Sequence, residues 1–178
     1  MEIYQPREDS ILLERNVKKY AKGRVLDVGT GSGIQAAAAL EKADEVIGVD
    51  INPAAVKYCK GKYSKIFFLV SDLFENVSGK FDTIIFNPPY LPEDPSAKDV
   101  ALDGGKEGWE LIDRFLREVR GHLDENGVVL LLFSSLTGKE KVDSLIKENR
   151  FRFLQIDNTK LDFEELYVYM IEDDRNRK

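Results

Sequence analysis

One cysteine, Cys59, and one histidine, His122, in 178 residues exclude an intramolecular disulfide and leave too few ligands for a Cys/His metal cluster. Long apolar runs are missing as well. The longest is Val128 to Phe133, well short of the ~20 residues that span a bilayer, and the N-terminus has no signal-peptide core. Nor is there a surplus of positive charge. The formal net charge is −6 and the pI about 5.0, a balance that disfavours a protein gripping nucleic acid through its phosphates. The lysines at 18, 19 and 22, and at 57, 60, 62 and 65, fall at helical or turn spacing and read as solvated faces. Together these absences predict a cytoplasmic protein with no membrane span, no metal and no preference for nucleic acid.

What is present is a 43% hydrophobic content, enough for a single domain over residues 1–178 with both faces of a sheet covered. The chain is organised around Arg24 to Gly33, RVLDVGTGSG, where a buried-strand pattern stops at glycines and a helix-forming run begins. Gly29, Gly31 and Gly33 remove every Cβ where the backbone turns, so a ligand can approach the main chain closely. The following helix aims free N–H groups at the same place. The spacing does not fit the dinucleotide fingerprint G-x-G-x-x-G. Asp27 beside the turn would repel a pyrophosphate and suits a cationic, amine-bearing ligand, which points to S-adenosylmethionine rather than NAD. A tight turn without a ligand is the plainer alternative.

Two more acids follow at strand ends. Glu45 to Asp50, EVIGVD, ends on Asp50, placed where a carboxylate accepts ribose hydroxyls, and Asn52-Pro53 then caps and opens a helix. Lys65 to Val70 is a third strand, followed by Asp72, which could accept an adenine amine, and Leu73, which could cover the ring. Before the glycine turn, Tyr4 to Ser10 leads into a helix that Asp9 or Ser10 could cap, or folds back over a ligand.

Phe81 to Phe86 is the fourth strand and runs into Asn87-Pro88-Pro89-Tyr90. Two prolines end the strand and donate no hydrogen bonds, leaving the Pro88 carbonyl free to accept one. With the Asn87 amide oxygen and the flat face of Tyr90, this makes a rigid pair of acceptors with a wall, suited to a planar NH₂ group. A long polar loop over 91–108 follows, of the kind that often faces a substrate. The remaining pattern gives a helix over 109–123, a strand over 128–133, a helix near 139–148, two strands near 151–158 and 166–171, and a frayed charged tail. His122 reads as a helix-end residue.

In this order VLDVGTGSG, VIGVD, VSDLF and NPPY resemble the motifs of the class I S-adenosylmethionine-dependent methyltransferases, across nearly the whole chain. NPPY narrows the resemblance to the amino-methyltransferases. Tyr4-Gln5-Pro6-Arg7-Glu8-Asp9-Ser10 and Leu102 to Gly108 resemble the small HemK-like group that methylates the glutamine of the GGQ motif in class-I translation release factors of archaea and eukaryotes. The resemblance implies an α/β, Rossmann-like seven-stranded sheet with helices on both faces and an antiparallel final strand. It implies no N-terminal helical substrate domain of the bacterial type. It assigns Asp27, Gly29 and Gly31 to the methionine portion of the cofactor, Asp50 to the ribose and Asp72 with Leu73 to the adenine, and counts Thr30 and Ile51 among the cofactor-binding residues. Tyr4, Pro6 and Glu8 would close the pocket, Asn87 would border both cofactor and substrate, and Asn87, Pro88, Pro89 and Tyr90 would hold the substrate amide. Members often pair with a small zinc-binding activator at the third strand, whose Ile66 to Leu69 is a heavy apolar load for a sheet edge. The clamp alone does not separate glutamine from lysine or a nucleobase exocyclic amine, and those acceptors stay open.

Overall fold

The structure, a computed structural model, describes residues 4–89 and 108–176. Its first half alternates α1 (Glu8–Tyr20), β1 (Gly23–Val28), α2 (Ile34–Ala39), β2 (Ala43–Asp50), α3 (Pro53–Lys62), β3 (Phe67–Val70) and β4 (Phe81–Phe86). Its second half is α4 (Glu110–Val119), β5 (Leu123–Ser134), α5 (Lys139–Glu148), β6 (Phe151–Lys160) and β7 (Glu165–Asp173). The strands form one seven-stranded sheet in the order β3-β2-β1-β4-β5-β7-β6. Pairing is parallel from β3 to β5, while β7 runs antiparallel to both β5 and β6. This is the Rossmann-like architecture that the motifs imply.

Successive residues of a strand face opposite sides, so an apolar run can feed two cores at once. Leu26, Val28, Ile84, Phe86, Val129 and Leu131 pack under α4 and α5, against Ile112, Phe115, Val142 and Ile146. Their immediate neighbours Val25, Ile85, Leu130 and Leu132 pack under α1, α2 and α3, against Leu13, Val17, Ala36 and Val56. Each such side chain contributes roughly 1.5–3 kcal/mol by leaving water. The sheet is thus fixed from both faces, and the loops at its C-terminal edge stand on a rigid base.

Several local expectations shift. α1 begins at Glu8 with Arg7 as its N-cap and no side-chain capping bond, so neither Asp9 nor Ser10 caps it; both lie inside the helix and buried. β3 starts at Phe67, and β5 starts early, at Leu123, with a register irregularity opposite Phe81 and Thr83. The helix expected over 109–123 stops at Val119, and His122, beyond it, stacks on Phe74 at 4.7 Å. The tail is not loose as far as Asn176: β7 runs to Asp173, whose buried carboxylate pairs with Arg120 at 3.0 Å and Arg175 at 2.8 Å. Those bonds, Arg175 foremost, hold the Asp173 carboxyl down to about 2.

The sheet order matters most at β1 and β4. They are neighbours although β2 and β3 separate them in the chain, with Val28 opposite Phe86. The strand order reverses here, and the loops leaving the two strands open one crevice.

Candidate active site

Gly29 follows Val28 and Asn87 follows Phe86, one step beyond paired residues on strands that lie ~4.8 Å apart. The glycine turn and the NPPY segment therefore face one another across one strand spacing. Gly29, Gly31 and Gly33 have φ of +67°, +53° and +79°, values that side-chain-bearing residues rarely adopt. Their surroundings differ. A Cβ on Gly29 would meet nothing within 4 Å, and one on Gly31 only the Gly29 carbonyl at 3.9 Å. One on Gly33 would strike the Tyr63 ring at 2.6 Å and Cys59 Sγ at 3.0 Å. The first two glycines thus border open space, whereas the third lets α2 close onto α3.

Asp27 holds this turn from beneath. Its side chain is 1% exposed, and Oδ2 accepts both from the Thr30 hydroxyl at 2.6 Å and from the Ala36 backbone N–H at 3.1 Å. Burial pushes the carboxyl up to about 7, with those two bonds pulling the other way. Asp50 holds it from the side. Its two oxygens accept from Gly31 N and Asn52 N, each at 2.8 Å, and burial raises its pKa while these bonds oppose the rise. Each oxygen still has a lone pair to offer a ligand hydroxyl. The Cys59 thiol, pushed up to about 11 mainly by burial, donates to the Gly31 carbonyl at 3.3 Å.

At the next strand ends, Ile51 is 54% exposed beside Asp50 and offers an apolar lip. Asp72 forms an ion pair with Arg114 of α4. Leu73 does not present its side chain to a ligand: it is buried in the core under α4 and turns the chain with φ +44°. Any part it has in a ligand site runs through its backbone.

On the β4 side, the Asn87 Nδ2 group donates to Asp9 Oδ2 at 2.9 Å. Its other end, Asn87 Oδ1, is buried and has no hydrogen-bond partner among the described residues. Such an acceptor costs about 1–3 kcal/mol unless something donates to it. Pro88 is buried and Pro89 half-buried, and neither brings an N–H. Tyr90 and the loop expected over 91–107 lie outside the described residues. Tyr4 joins the group by donating to Asp9 Oδ1 at 3.0 Å, and burial raises its phenol far above the ordinary range. Pro6 and Glu8 are exposed on the same segment.

The structure thus gathers Asp27, Thr30, Gly29, Gly31, Asp50, Asn87 and Tyr4 around one edge of the sheet. Sequence reading missed three participants. Asp9 read as a helix cap within a motif and was given no site role, Arg114 had no motif, and Gln35, whose Nε2 donates to the Ser10 carbonyl at 2.9 Å, read as a helix residue. The Tyr4–Ser10 motif marks Asp9 but not its partner, and no local pattern marks the other two, because the partners lie 78, 42 and 25 positions away. Open space over bare main chain, flanked by carboxylates, fits a ligand with a cationic centre and hydroxyls. The orphaned Asn87 oxygen beside it fits a donor N–H.

The model of the methyltransferase small domain matches residues 8–163. A Methanocaldococcus jannaschii protein provisionally named protein N5-glutamine methyltransferase is 45% identical, the alignment covering 94% of this chain and 90% of that one. The release factor glutamine methyltransferase of Aquifex aeolicus is 32% identical over 82% of this chain, which spans only 59% of that relative's length. Among solved structures, the E. cuniculi Mtq2–Trm112 complex, described as responsible for methylation of the eRF1 translation termination factor, superposes with a TM-score of 0.82. It is 25% identical and covers 97% of this chain and 99% of its own.

Proposed function

The chain belongs to the methyltransferase small domain family, and on that premise we propose that it methylates the side-chain amide nitrogen of a glutamine, the acceptor being the GGQ motif of a translation release factor. One observation carries the reading to a nitrogen acceptor bearing N–H groups: Asn87 Oδ1 is a buried acceptor, unpartnered among the described residues, standing next to the open glycine turn. The named activities of the relatives support the choice of glutamine and of the release factor.

S-adenosylmethionine, when bound, supplies an electrophilic methyl group: a C–N bond to the amide forms as the C–S bond breaks, the electron pair stays on sulfur, and one amide proton leaves to solvent. The chain's own residues hold and orient. The bare backbone at Gly29 and Gly31 lets the cofactor lie close to the sheet edge, with Thr30 and Asp27 fixing that backbone. Asp50 has acceptor capacity for the ribose hydroxyls, Ile51 an apolar edge for the adenine, and Asp72 an acceptor for its amine. An amide nitrogen is a poor nucleophile because its lone pair is delocalised. Asn87 Oδ1 and the Pro88 carbonyl, by accepting hydrogen bonds from its two N–H groups, turn the nitrogen toward the methyl group. As positive charge builds on that nitrogen both bonds strengthen, so the pair stabilises the transition state more than the ground state. No dedicated base is required. Pro89 stiffens the backbone of this slot, and the sequence that follows it offers the flat ring of Tyr90 for a wall.

The test uses labelled S-adenosylmethionine with a matched release factor carrying GGQ or its Gln→Ala variant. Label should enter the first and not the second. Asn87→Ala should lower turnover about a hundredfold or more, in line with the loss of a transition-state hydrogen bond, while affinity for S-adenosylhomocysteine changes less than about twofold. Label entering the Gln→Ala protein equally would exclude the glutamine acceptor.

A small partner subunit belongs to the same reading. β3 is the sheet edge, and although Ile66 and Phe68 are covered by the chain's own helices, Phe67 is 62% exposed and Val70 and Tyr58 are also bare. We infer that a small zinc-binding activator docks along β3, adding a strand to the unpaired edge. The partnered state of the Mtq2 structure supports this.

A further inference from the structure

Asp9 is 3% exposed, and its carboxylate meets only neutral donors among the described residues. Oδ1 accepts from the Tyr4 hydroxyl at 3.0 Å and the Ser10 hydroxyl at 3.3 Å, and Oδ2 accepts from Asn87 Nδ2 at 2.9 Å. It does not cap its own helix. A buried carboxylate is costly, and its site on Asn87 calls for a reason other than stability.

We propose that Asp9 is a positioning residue for methyl transfer: it takes the Asn87 amide N–H and so fixes the Asn87 oxygen toward the substrate. The two ends of an asparagine amide are nearly equal in shape, and its terminal torsion is broad, so the side chain alone does not choose which atom faces the slot. A carboxylate has only acceptors. Turning the Asn87 amide over would bring oxygen against oxygen at Asp9 and would aim an NH₂ group at the hydrogens of the substrate amide. Both ends would be mismatched by the same rotation. The negative charge at Asp9 also polarises the Asn87 amide, making Oδ1 a better acceptor as charge develops on the substrate nitrogen.

Ser10 and Gln35 extend the support inward. The Gln35 side chain donates to the Ser10 carbonyl, tying the first turn of α1 to α2, directly after the glycine turn. The N-terminal segment is thereby the element that sets the clamp's polarity, across 78 positions of sequence.

The inference rests on the amide-methylation reading, and its test can fail separately from it. Three variants are compared with the full chain: Asp9→Asn, Asn87→Asp, and both together. In the wild-type background Asp9→Asn should lower kcat at least tenfold, with little change in the affinity for S-adenosylhomocysteine. Asn87→Asp should be inactive, because two carboxylates then face each other. Adding Asp9→Asn to it should raise kcat at least tenfold, because the amide introduced at position 9 now donates to the new carboxylate and an acceptor again faces the slot. One substitution that harms one background and helps the other is not expected of a residue that merely stabilises the fold. An Asp9→Asn variant within twofold of wild-type kcat, one altered only in thermal stability, or a double variant no better than Asn87→Asp would overturn the proposal.

A second readout needs no turnover. The Asn87 side-chain NH₂ signals, identified by their loss in Asn87→Asp, should exchange slowly with solvent in the wild-type protein and at least tenfold faster in Asp9→Asn. Equal exchange in the two proteins would also overturn the proposal. Slow exchange lost on substitution, in a protein that methylates no glutamine, would leave the positioning role standing and remove the acceptor assignment instead.

Discussion

Asp27 shows how much a single side chain at the turn costs and what it returns. Its carboxyl, ordinarily near 3.8, is pushed up to about 7 by complete burial, despite bonds from Thr30 and Ala36. The folded protein therefore binds this proton more tightly than the unfolded chain does. Between about pH 4 and about pH 7 the native state holds the extra proton, so stability falls as pH rises through that window and levels above it. Asp173, held low, acts in the opposite sense, and its contribution is lost only as pH falls toward about 2. Asp27→Asn keeps an oxygen for Thr30 and for the Ala36 N–H and removes the titration. Thermal unfolding followed across the window should show the variant's midpoint losing the decline that the wild type shows between about pH 4 and about pH 7.

Among elements, the glycine turn does two jobs with one conformation, and substitutions separate them. Gly33→Ala adds a left-handed penalty of roughly 1–2 kcal/mol to an overlap with Tyr63 and Cys59 that costs roughly 1–3 kcal/mol more. Gly29→Ala carries the conformational penalty alone, because its Cβ enters open space. That space is where the cofactor would lie. Calorimetry should therefore find Gly29→Ala at least tenfold weaker for S-adenosylhomocysteine with a modest loss of thermal stability. Gly33→Ala should show the larger fall in unfolding midpoint. Should both lose affinity and stability in equal proportion, the open face over Gly29 is not the cofactor's.

At the scale of the whole molecule, the sheet has two edges, and they are treated differently. β6 at one end is long and carries charges and amides, Arg152, Gln155, Asp157 and Asn158, along its length. β3 at the other is short, and its outward residues Phe67 and Val70 are apolar. A bare apolar edge favours pairing with another chain. Phe67→Lys should leave the unfolding midpoint of the isolated protein nearly unchanged, since surface substitutions shift stability by about 0.5 kcal/mol or less. It should abolish co-purification of a co-expressed small zinc-binding partner, read by zinc content of the eluted complex. A variant that retains the partner and its zinc moves the docking surface elsewhere.

The sequence by itself determined which elements exist and roughly where they lie: strand runs stopping at glycine, acid or proline, and the Asn52-Pro53 helix start, whereas the antiparallel final strand came from the family resemblance. Such signals are local, because a strand needs apolar residues in a row and a turn needs a missing Cβ or N–H. That Asp27, Asp50, Asp72 and Asn87 stand at or near strand ends was legible for the same reason. What these four side chains bind within the protein was not. That Asp9 takes Asn87 rather than capping its helix, that Asp72 meets Arg114, that Leu73 turns inward and that Phe68 is covered while Phe67 and Val70 stay bare all follow from how helices dock on a finished sheet. Tertiary structure decided those contacts because hydrogen bonds and burial between distant segments exist only after the strand order has brought them together.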